Sequence, residues 1–276
     1  MTTAPQQLAT ADGQVTSAVG QGTWYLGDDP SAREEEIAAL RAGIEAGLRL
    51  VDTAEMYGGG RSEDLVGEAI GPVREQVYLV DKVLPSNASR RGTIQACERS
   101  LQVLGTDWID LYLLHWPGPH PLAETVAAFE SLVQRGLIRS WGVSNFDPGD
   151  LAGLPADPLV NQVLYNPSRR GVEVDLLPVH RSAGITTMAY SPIEQGRLLD
   201  DPVLGSVARA RGVSVAQLLI AWAVRQPGVI AIPKASSVAH AEENAAALGL
   251  RLEAEDLAAI DAAFPAPDNP VPLEIL

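Results

Sequence analysis

The chain has 276 residues, 46% of them hydrophobic, and its formal net charge of -15 reflects 35 acidic against 20 basic side chains. This length suits one (β/α)8 barrel, which typically takes about 250 residues. An acidic chain lacks the basic field that phosphate-rich partners require, so neither nucleic acid nor an anionic membrane is an expected partner.

Short apolar runs alternate with longer amphipathic segments, as in repeated βαβ units. Each short run is apolar throughout, which is typical of a buried parallel strand. The eight predicted strands are residues 19–23, 48–52, 77–82, 109–115, 138–144, 159–162, 186–190 and 229–233. No linker rich in proline, glycine or serine divides the chain. The sequence therefore predicts an α/β protein of the (β/α)8 TIM-barrel class, with residues 1–276 as a single domain.

Helix signals lie between these strands. Ser31 and Ser214 each begin a predicted capping box, and Ser62 and Ser237 are predicted N-caps. The predicted helices are residues 31–46, 62–70, 92–104, 121–135, 176–183, 214–225 and 237–248.

Both ends of the chain carry additional elements. Residues 8–10 and 14–16 flank Asp12-Gly13, which predicts an N-terminal β-hairpin with a type I′ turn. Residues 253–264 predict an extra C-terminal helix, and the proline-rich residues 265–276 predict an irregular tail.

Cys97 is the one cysteine in the sequence. It cannot form an intramolecular disulfide, which favours a reducing compartment, and its helical context predicts a core position. The first residues resemble no signal peptide, and no segment approaches the roughly 20 apolar residues of a membrane helix. We therefore expect a soluble cytoplasmic protein.

Four polar side chains, Asp52, Tyr57, Lys82 and His115, lie at or just past predicted strand ends. In a parallel barrel these ends meet at one mouth, where catalytic groups collect. A cation favours phenolate, so we expect Lys82 to lower the pKa of Tyr57, Asp52 to hold Lys82, and His115 to orient a carbonyl oxygen. Singly, a Lys–Asp pair or a histidine is more often structural; their convergence favours catalysis.

Two other enzyme classes are disfavoured. The segment from Gly20 to Tyr25 begins like a dinucleotide-binding G-x-G-x-x-G motif but has tyrosine at the third glycine position. The four histidines form no H-x-H or H-E-x-x-H motif, so no metal site is predicted.

Motifs in order along nearly the whole chain resemble those of the aldo-keto reductase family, in its short-loop bacterial form. They are Gly22-Thr23-Trp24, Asp52-Thr53-Ala54-Glu55-Met56-Tyr57-Gly58, Lys82, His115-Trp116-Pro117, Gly142-Val143-Ser144-Asn145-Phe146, Asn161-Gln162, Tyr190-Ser191-Pro192 and Ile232-Pro233-Lys234. The resemblance implies an oxidoreductase that reduces aldehydes or ketones with NAD(P)H, with Tyr57 as proton donor and Asp52, Lys82 and His115 as its supporting groups.

The resemblance also implies cofactor contacts. Ser144, Asn145 and Gln162 would hold the nicotinamide carboxamide, and Tyr190 would stack on its ring, unless Tyr190 merely packs at the barrel mouth. The further cofactor-binding residues implied are Gly22, Thr23, Ser191, Pro192, Ile193, Gln195, Lys234, Ser236, Ser237, His240 and Asn244.

Lys234 and the helix that follows it match the family's site for the 2′-phosphate of NADPH. Many members carry an arginine where this chain has His240, and imidazole is a weaker, pH-dependent phosphate partner. We therefore expect NADPH as cofactor, with NADH as a second candidate.

Trp24 and Trp116 are the expected substrate contacts, and the short tail predicts an open pocket. The runner-up hypothesis is a non-catalytic nucleotide-sensing module on the same barrel, although a sensor does not need all four catalytic-type residues. No apolar helix face is obviously spare, so we expect a monomer that binds a small carbonyl substrate.

Overall fold

The computed structural model describes residues 8–9 and 15–276. Near the N-terminus, β1 (Leu8–Ala9) pairs antiparallel with β2 (Val15–Thr16), which confirms the pairing of the predicted hairpin. The predicted turn at Asp12 and Gly13 lies outside the described residues.

A parallel eight-stranded barrel follows, confirming the predicted fold class. Its strands pair in chain order: β3 (Gln21–Gly22), β4 (Leu50–Asp52), β5 (Tyr78–Val83), β6 (Ile109–Leu114), β7 (Ile138–Ser144), β8 (Val160–Leu164), β9 (Thr186–Tyr190) and β10 (Val229–Ile232). The amides of Gly20 and Gly22 donate to the carbonyls of Ala231 and Pro233 at 2.8 and 3.0 Å. These bonds join the first barrel strand to the last and close the sheet.

Helices connect the strands and surround the barrel. They are α1 (Arg33–Glu45), α2 (Arg61–Ile70), α3 (Arg90–Leu104), α4 (Leu122–Gln134), α5 (Pro148–Ala152), α6 (Leu176–Ala183), α7 (Pro202–Arg211), α8 (Val215–Ala223), α9 (Val238–Ala246) and α10 (Ala254–Ala263). The predicted C-terminal helix is confirmed as α10. Helix α7 was not predicted, although its signals are readable: the Asp201 carboxylate caps it, proline occupies its first position, and Gly212 ends it with φ 65°.

Two predicted caps are wrong. Ser31 donates its hydroxyl to Asp29 rather than capping α1, whose N-cap is Ala32. Ser62 lies inside the first turn of α2, because that helix begins at Arg61, and its buried hydroxyl donates to Thr23 Oγ1 at 2.8 Å. The capping box at Ser214 and the cap at Ser237 are confirmed.

The hydrophobic core has two layers. One fills the barrel interior with the buried side chains Leu50, Tyr78, Val80, Leu111, Leu113, Val160, Met188, Ile230 and Ile232. The other lies between the strands and the helices, and it includes Cys97 on α3. This thiol is fully buried, as predicted, and burial raises its pKa. Packing on both faces fixes the strands, and so fixes the loops that follow their carboxyl ends.

No single helix in the described part of the chain is long and apolar enough to cross a membrane, whereas α7 and α8 reach that limit only as a pair bent by 92°.

Candidate active site

The carboxyl ends of the barrel strands surround a cavity of about 570 Å³. Asp52 ends β4, Lys82 lies one residue before the end of β5, and His115 directly follows β6. Tyr57 lies in the loop after β4, in the 3₁₀ turn Tyr57–Gly59. Asp52, Tyr57 and His115 line the cavity, and Lys82 is buried beneath them. The fold thus brings together the four side chains singled out from the sequence.

Lys82 organises the centre of this cluster. Side chains alternate along β5, so Lys82 points into the barrel on the same face as Val80. Its Nζ donates to Asp52 Oδ2 at 2.7 Å, to the Thr53 carbonyl at 2.7 Å and to Tyr57 Oη at 3.2 Å. Three acceptors occupy all three ammonium donors. Burial opposes the charge, but Asp52 and Tyr57 together outweigh burial and raise the pKa of Lys82.

Tyr57 differs from the sequence expectation in the direction of its pKa shift. Burial raises the pKa of its phenol above the usual value, and Lys82 only reduces that rise, because the nearby Asp52 carboxylate offsets much of the ammonium charge. The expected lowering of this pKa is therefore wrong. The phenol keeps its proton at neutral pH, as a proton donor must, and the Lys82 hydrogen bond can stabilise the phenolate once the proton has left.

His115 is held neutral beside the phenol. It is 8% exposed, and burial together with the Lys82 charge lowers its pKa to about 2. Its ring centroid lies 5.7 Å from that of Tyr57, and its Nδ1 has no hydrogen-bond partner among the described residues. A neutral imidazole carries one N–H donor. Tyr57 and His115 together can therefore offer two donors to one carbonyl oxygen.

A polar wall borders these groups on the β7–β9 side. Ser144 Oγ donates to the Gln162 carbonyl at 2.9 Å, Asn145 Nδ2 donates to the His115 carbonyl at 3.1 Å, and Tyr190 Oη donates to Asn145 Oδ1 at 3.0 Å. Ser144, Asn145, Gln162 and Tyr190 form this wall, and all four line the cavity. Gln162 Nε2 also donates to Asp52 Oδ1 at 2.7 Å. The sequence did not reveal this last bond, which joins the wall directly to the Asp52 carboxylate.

The cavity extends from this wall toward α9. Most of the other predicted cofactor contacts line it, namely Gly22, Thr23, Ser191, Pro192, Ile193, Gln195, Lys234, Ser236 and His240. Ser237 and Asn244 do not line it. Ser237 instead caps α9, where its Oγ accepts from the His240 amide at 3.4 Å, and Asn244 is buried.

Backbone strain is concentrated along the same path. Among the described residues, the non-glycine residues with positive φ are Tyr25, Asn145, Ser191, Glu194 and Gln195. All but Glu194 line the cavity, and such strain tends to persist at binding sites that over-determine the backbone. With a polar wall at one end and a lysine beside a helix N-terminus at the other, the cavity fits an extended dinucleotide.

Aromatic rings form the remaining side of the cavity. The predicted Trp24 lies 6.5 Å from Tyr57 between ring centroids, and the predicted Trp116 lies 4.8 Å from His115. Tyr25, which sequence reasoning missed, stacks on Trp24 at 4.6 Å and is 56% exposed. These rings narrow the space next to Tyr57 and His115.

The wall residues for which no contact was predicted include Met56, Ile275 and Leu276. Met56 directly precedes Tyr57, and its position in the motif was a readable signal. The last two belong to the tail, which was expected to leave the pocket open. The tail instead reaches the cavity, where the Leu276 amide lies 3.4 Å from Tyr190 Oη. The proline-rich tail, residues 265–276, has no regular structure, so its sequence does not indicate that it reaches the cavity.

Comparisons with known proteins agree with this geometry. The model of the Aldo/keto reductase family matches residues 18–264. Methylglyoxal reductase YeaE of Escherichia coli (strain K12) is 49% identical, covering 98% of this chain and 99% of that protein. Glyoxal reductase of Bacillus subtilis (strain 168) is 38% identical, covering 83% of each chain. A crystal structure of an aldo/keto reductase from Klebsiella pneumoniae in complex with NADP and acetate superposes with TM-score 0.96 at 45% identity, covering 99% of this chain and 100% of that one.

Proposed function

Because the chain belongs to the aldo/keto reductase family and is an NADPH-dependent carbonyl reductase, we propose that it reduces small, uncharged 2-oxoaldehydes with Tyr57 as the proton donor. One observation carries this proposal. The Tyr57 hydroxyl lies on the cavity wall, 3.2 Å from an ammonium group that a buried carboxylate holds in place at 2.7 Å.

The proposed chemistry divides between the cofactor and the side chains. When bound, NADPH would supply a hydride to the carbonyl carbon of the substrate. The Tyr57 hydroxyl and the neutral His115 ring bind the substrate carbonyl oxygen, and Tyr57 gives its proton to that oxygen as negative charge develops there. Lys82 then stabilises the phenolate through its hydrogen bond. Asp52 keeps Lys82 protonated and fixed in direction.

We propose that the polar wall and the extended part of the cavity hold the cofactor. Tyr190 offers a flat, partly exposed ring for stacking, and Ser144, Asn145 and Gln162 present polar groups beside it. Lys234, Ser236 and His240 line the opposite end, next to the N-terminus of α9. The positive charge of Lys234 and the positive dipole end of α9 suit a phosphate group. NADPH carries a 2′-phosphate that NADH lacks, so this end of the cavity supports NADPH as the cofactor.

The substrate proposal depends on the walls next to Tyr57. Trp24 packs near Tyr57 and Trp116 packs against His115, and Tyr25, Met56, Ile275 and Leu276 also line the cavity. Among the described residues that line the cavity, Lys234 is the one lysine or arginine, and it lies at the α9 end. An anionic substrate would therefore find no cation beside the proton donor other than the buried, fully bonded Lys82. Small neutral dicarbonyls match this chamber, and the Escherichia coli and Bacillus subtilis relatives are a methylglyoxal reductase and a glyoxal reductase.

The non-catalytic sensing hypothesis finds no support, since the matched relatives named above are reductases. We also propose that residues 1–276 form one domain, acting in the cytoplasm as a monomer without nucleic-acid or membrane partners. The acidic charge and the single buried thiol support this part of the proposal.

The test is a kinetic comparison of wild type with Tyr57→Phe. Loss of nicotinamide absorbance should accompany methylglyoxal reduction by the wild type, whereas Tyr57→Phe should lose about 10²–10⁴-fold in kcat while it still binds NADPH. Normal turnover by Tyr57→Phe would refute the assigned proton donor. A wild type that turns over pyruvate as well as methylglyoxal would refute the substrate class.

A further inference from the structure

The last residues of the tail form one border of the active-site cavity. Ile275 and Leu276 line it, and the Leu276 amide donates to Tyr190 Oη at 3.4 Å. The preceding residue, Glu274, does not line the cavity, and its carboxylate instead accepts from Arg169 Nη1 at 2.5 Å. The tail is therefore anchored by an ion pair immediately before it reaches Tyr190 on the cavity wall.

A second border is the loop after β9, residues 191–196, which we call the covering loop. Ser191, Ile193 and Gln195 line the part of the cavity proposed to hold the cofactor. Glu194 does not line the cavity and is only 3% exposed. Glu194 and Gln195 have φ of 48° and 54°, a conformation that non-glycine residues keep only when their surroundings enforce it.

The Glu194 carboxylate supplies that enforcement. It accepts from Asn166 Nδ2 at 2.7 Å, from Arg197 Nη1 at 2.9 Å, and from Arg169 Nη2 and Nε at 3.0 and 3.2 Å. Arg169 thus makes a two-donor contact with the covering loop and a separate contact with the tail. A planar guanidinium with five donors can serve two carboxylates at once, whereas lysine has a single charged centre.

We propose that Arg169 is a positioning residue that couples the tail to the covering loop, so that the substrate wall and the cofactor path hold each other in place. This inference rests on the proposed function of the same cavity. Arg169 does not line the cavity and acts through Glu194 and Glu274. Release of the tail should therefore change cofactor retention, although Glu274 borders neither part of the cavity.

The key experiment measures NADPH dissociation by stopped-flow fluorescence in Glu274→Ala. Partly exposed ion pairs have modest strength, so we expect the dissociation rate constant to rise about two- to fivefold. The ratio of kcat/KM for phenylglyoxal to that for methylglyoxal should rise by a similar factor, because the freed tail admits a larger group. Arg169→Met should reproduce both changes, and the double variant of Arg169→Met and Glu274→Ala should show little further change. Arg169→Lys should show smaller changes than Arg169→Met, because lysine keeps the positive charge.

A matched control separates coupling from a general loss of surface charge. Glu98 pairs with Arg135 at 2.5 Å with similar exposure and lies away from the cavity, so Glu98→Ala should change neither readout. The coupling is refuted if Glu274→Ala leaves the NADPH dissociation rate constant unchanged, even if the preference for phenylglyoxal over methylglyoxal changes. The tail would then border the cavity without affecting how the cofactor is held. That result would leave the proposed function intact. The proposed function fails separately, if Tyr57→Phe turns over normally.

Discussion

Replacing Lys82 with methionine tests whether the buried ion pair organises the catalytic cluster. Methionine keeps much of the side-chain volume but removes the cation, and Asp52, 2% exposed, then loses its charged partner. Removal of one member of a buried pair typically destabilises a protein by about 3–5 kcal/mol. The remaining bond from Gln162 Nε2 to Asp52 places the expected loss near the lower value, about 3 kcal/mol at pH 7.

The same variant should show a characteristic pH dependence. Burial raises the pKa of Asp52, and Lys82 is the main group opposing that rise, so Lys82→Met should raise this pKa further. A carboxyl whose pKa is higher folded than unfolded contributes stability that is present below its unfolded value and is lost as pH rises through the folded value. The destabilisation should therefore be smaller at about pH 5 than at about pH 8.

Urea unfolding of wild type, Lys82→Met, Asp52→Asn and the double variant provides the measurement. The double variant should be more stable than Lys82→Met, because it no longer buries an unpaired carboxylate. A double variant no more stable than Lys82→Met would show that the pair is not the source of the loss. Turnover should fall by at least about 10²-fold in every variant, through loss of support for the Tyr57 phenolate.

Other expectations follow from individual groups. The kcat for carbonyl reduction should vary little from about pH 6 to pH 9. Burial raises the pKa of Tyr57, and burial together with the Lys82 charge lowers the pKa of His115 to about 2, so neither group should titrate within this window. A steep change in kcat between these pH values would contradict these pKa shifts. Replacing His240 with arginine should lower the Kd for NADPH several-fold with little effect on NADH, and an unchanged or weaker NADPH affinity would argue against a phosphate site beside α9. Asp81 on β5 faces Glu63 in the layer between strands and helices, and burial together with that second carboxyl raises its pKa well above the usual value. Asp81→Asn should therefore stabilise the protein more at about pH 8 than at about pH 5, and equal shifts in Tm at both values would contradict this reasoning.

The sequence predicted the barrel because its period is strong. Eight apolar runs alternate with amphipathic segments, and chemistry-bearing residues at the strand ends can meet at one face only. The motifs also indicate a barrel, so the sequence alone predicts that Asp52, Tyr57, Lys82 and His115 lie together. The wall residues Ser144, Asn145 and Gln162 were found by the same route.

Features that depend on nonlocal packing escaped prediction. Whether Lys82 or burial controls the pKa of Tyr57 depends on how deeply the phenol is buried, and the strand pattern does not specify that depth. The tail that reaches Tyr190 also carries Glu274, which pairs with Arg169, a residue 105 positions away in the sequence. The failed cap at Ser62 has a similar cause, because its hydroxyl bonds a residue of another loop.

The inaccessible thiol on α3 matters if the enzyme reduces the reactive dicarbonyl compounds proposed as its substrates. Such substrates add readily to thiolates, and a cysteine needs both exposure and ionisation to react. Cys97 has neither, so the folded enzyme presents no reactive thiol to such compounds. While the protein stays folded, a dicarbonyl substrate of the proposed kind should not inactivate it by modifying Cys97. Labelling of Cys97 by a thiol reagent would instead report unfolding.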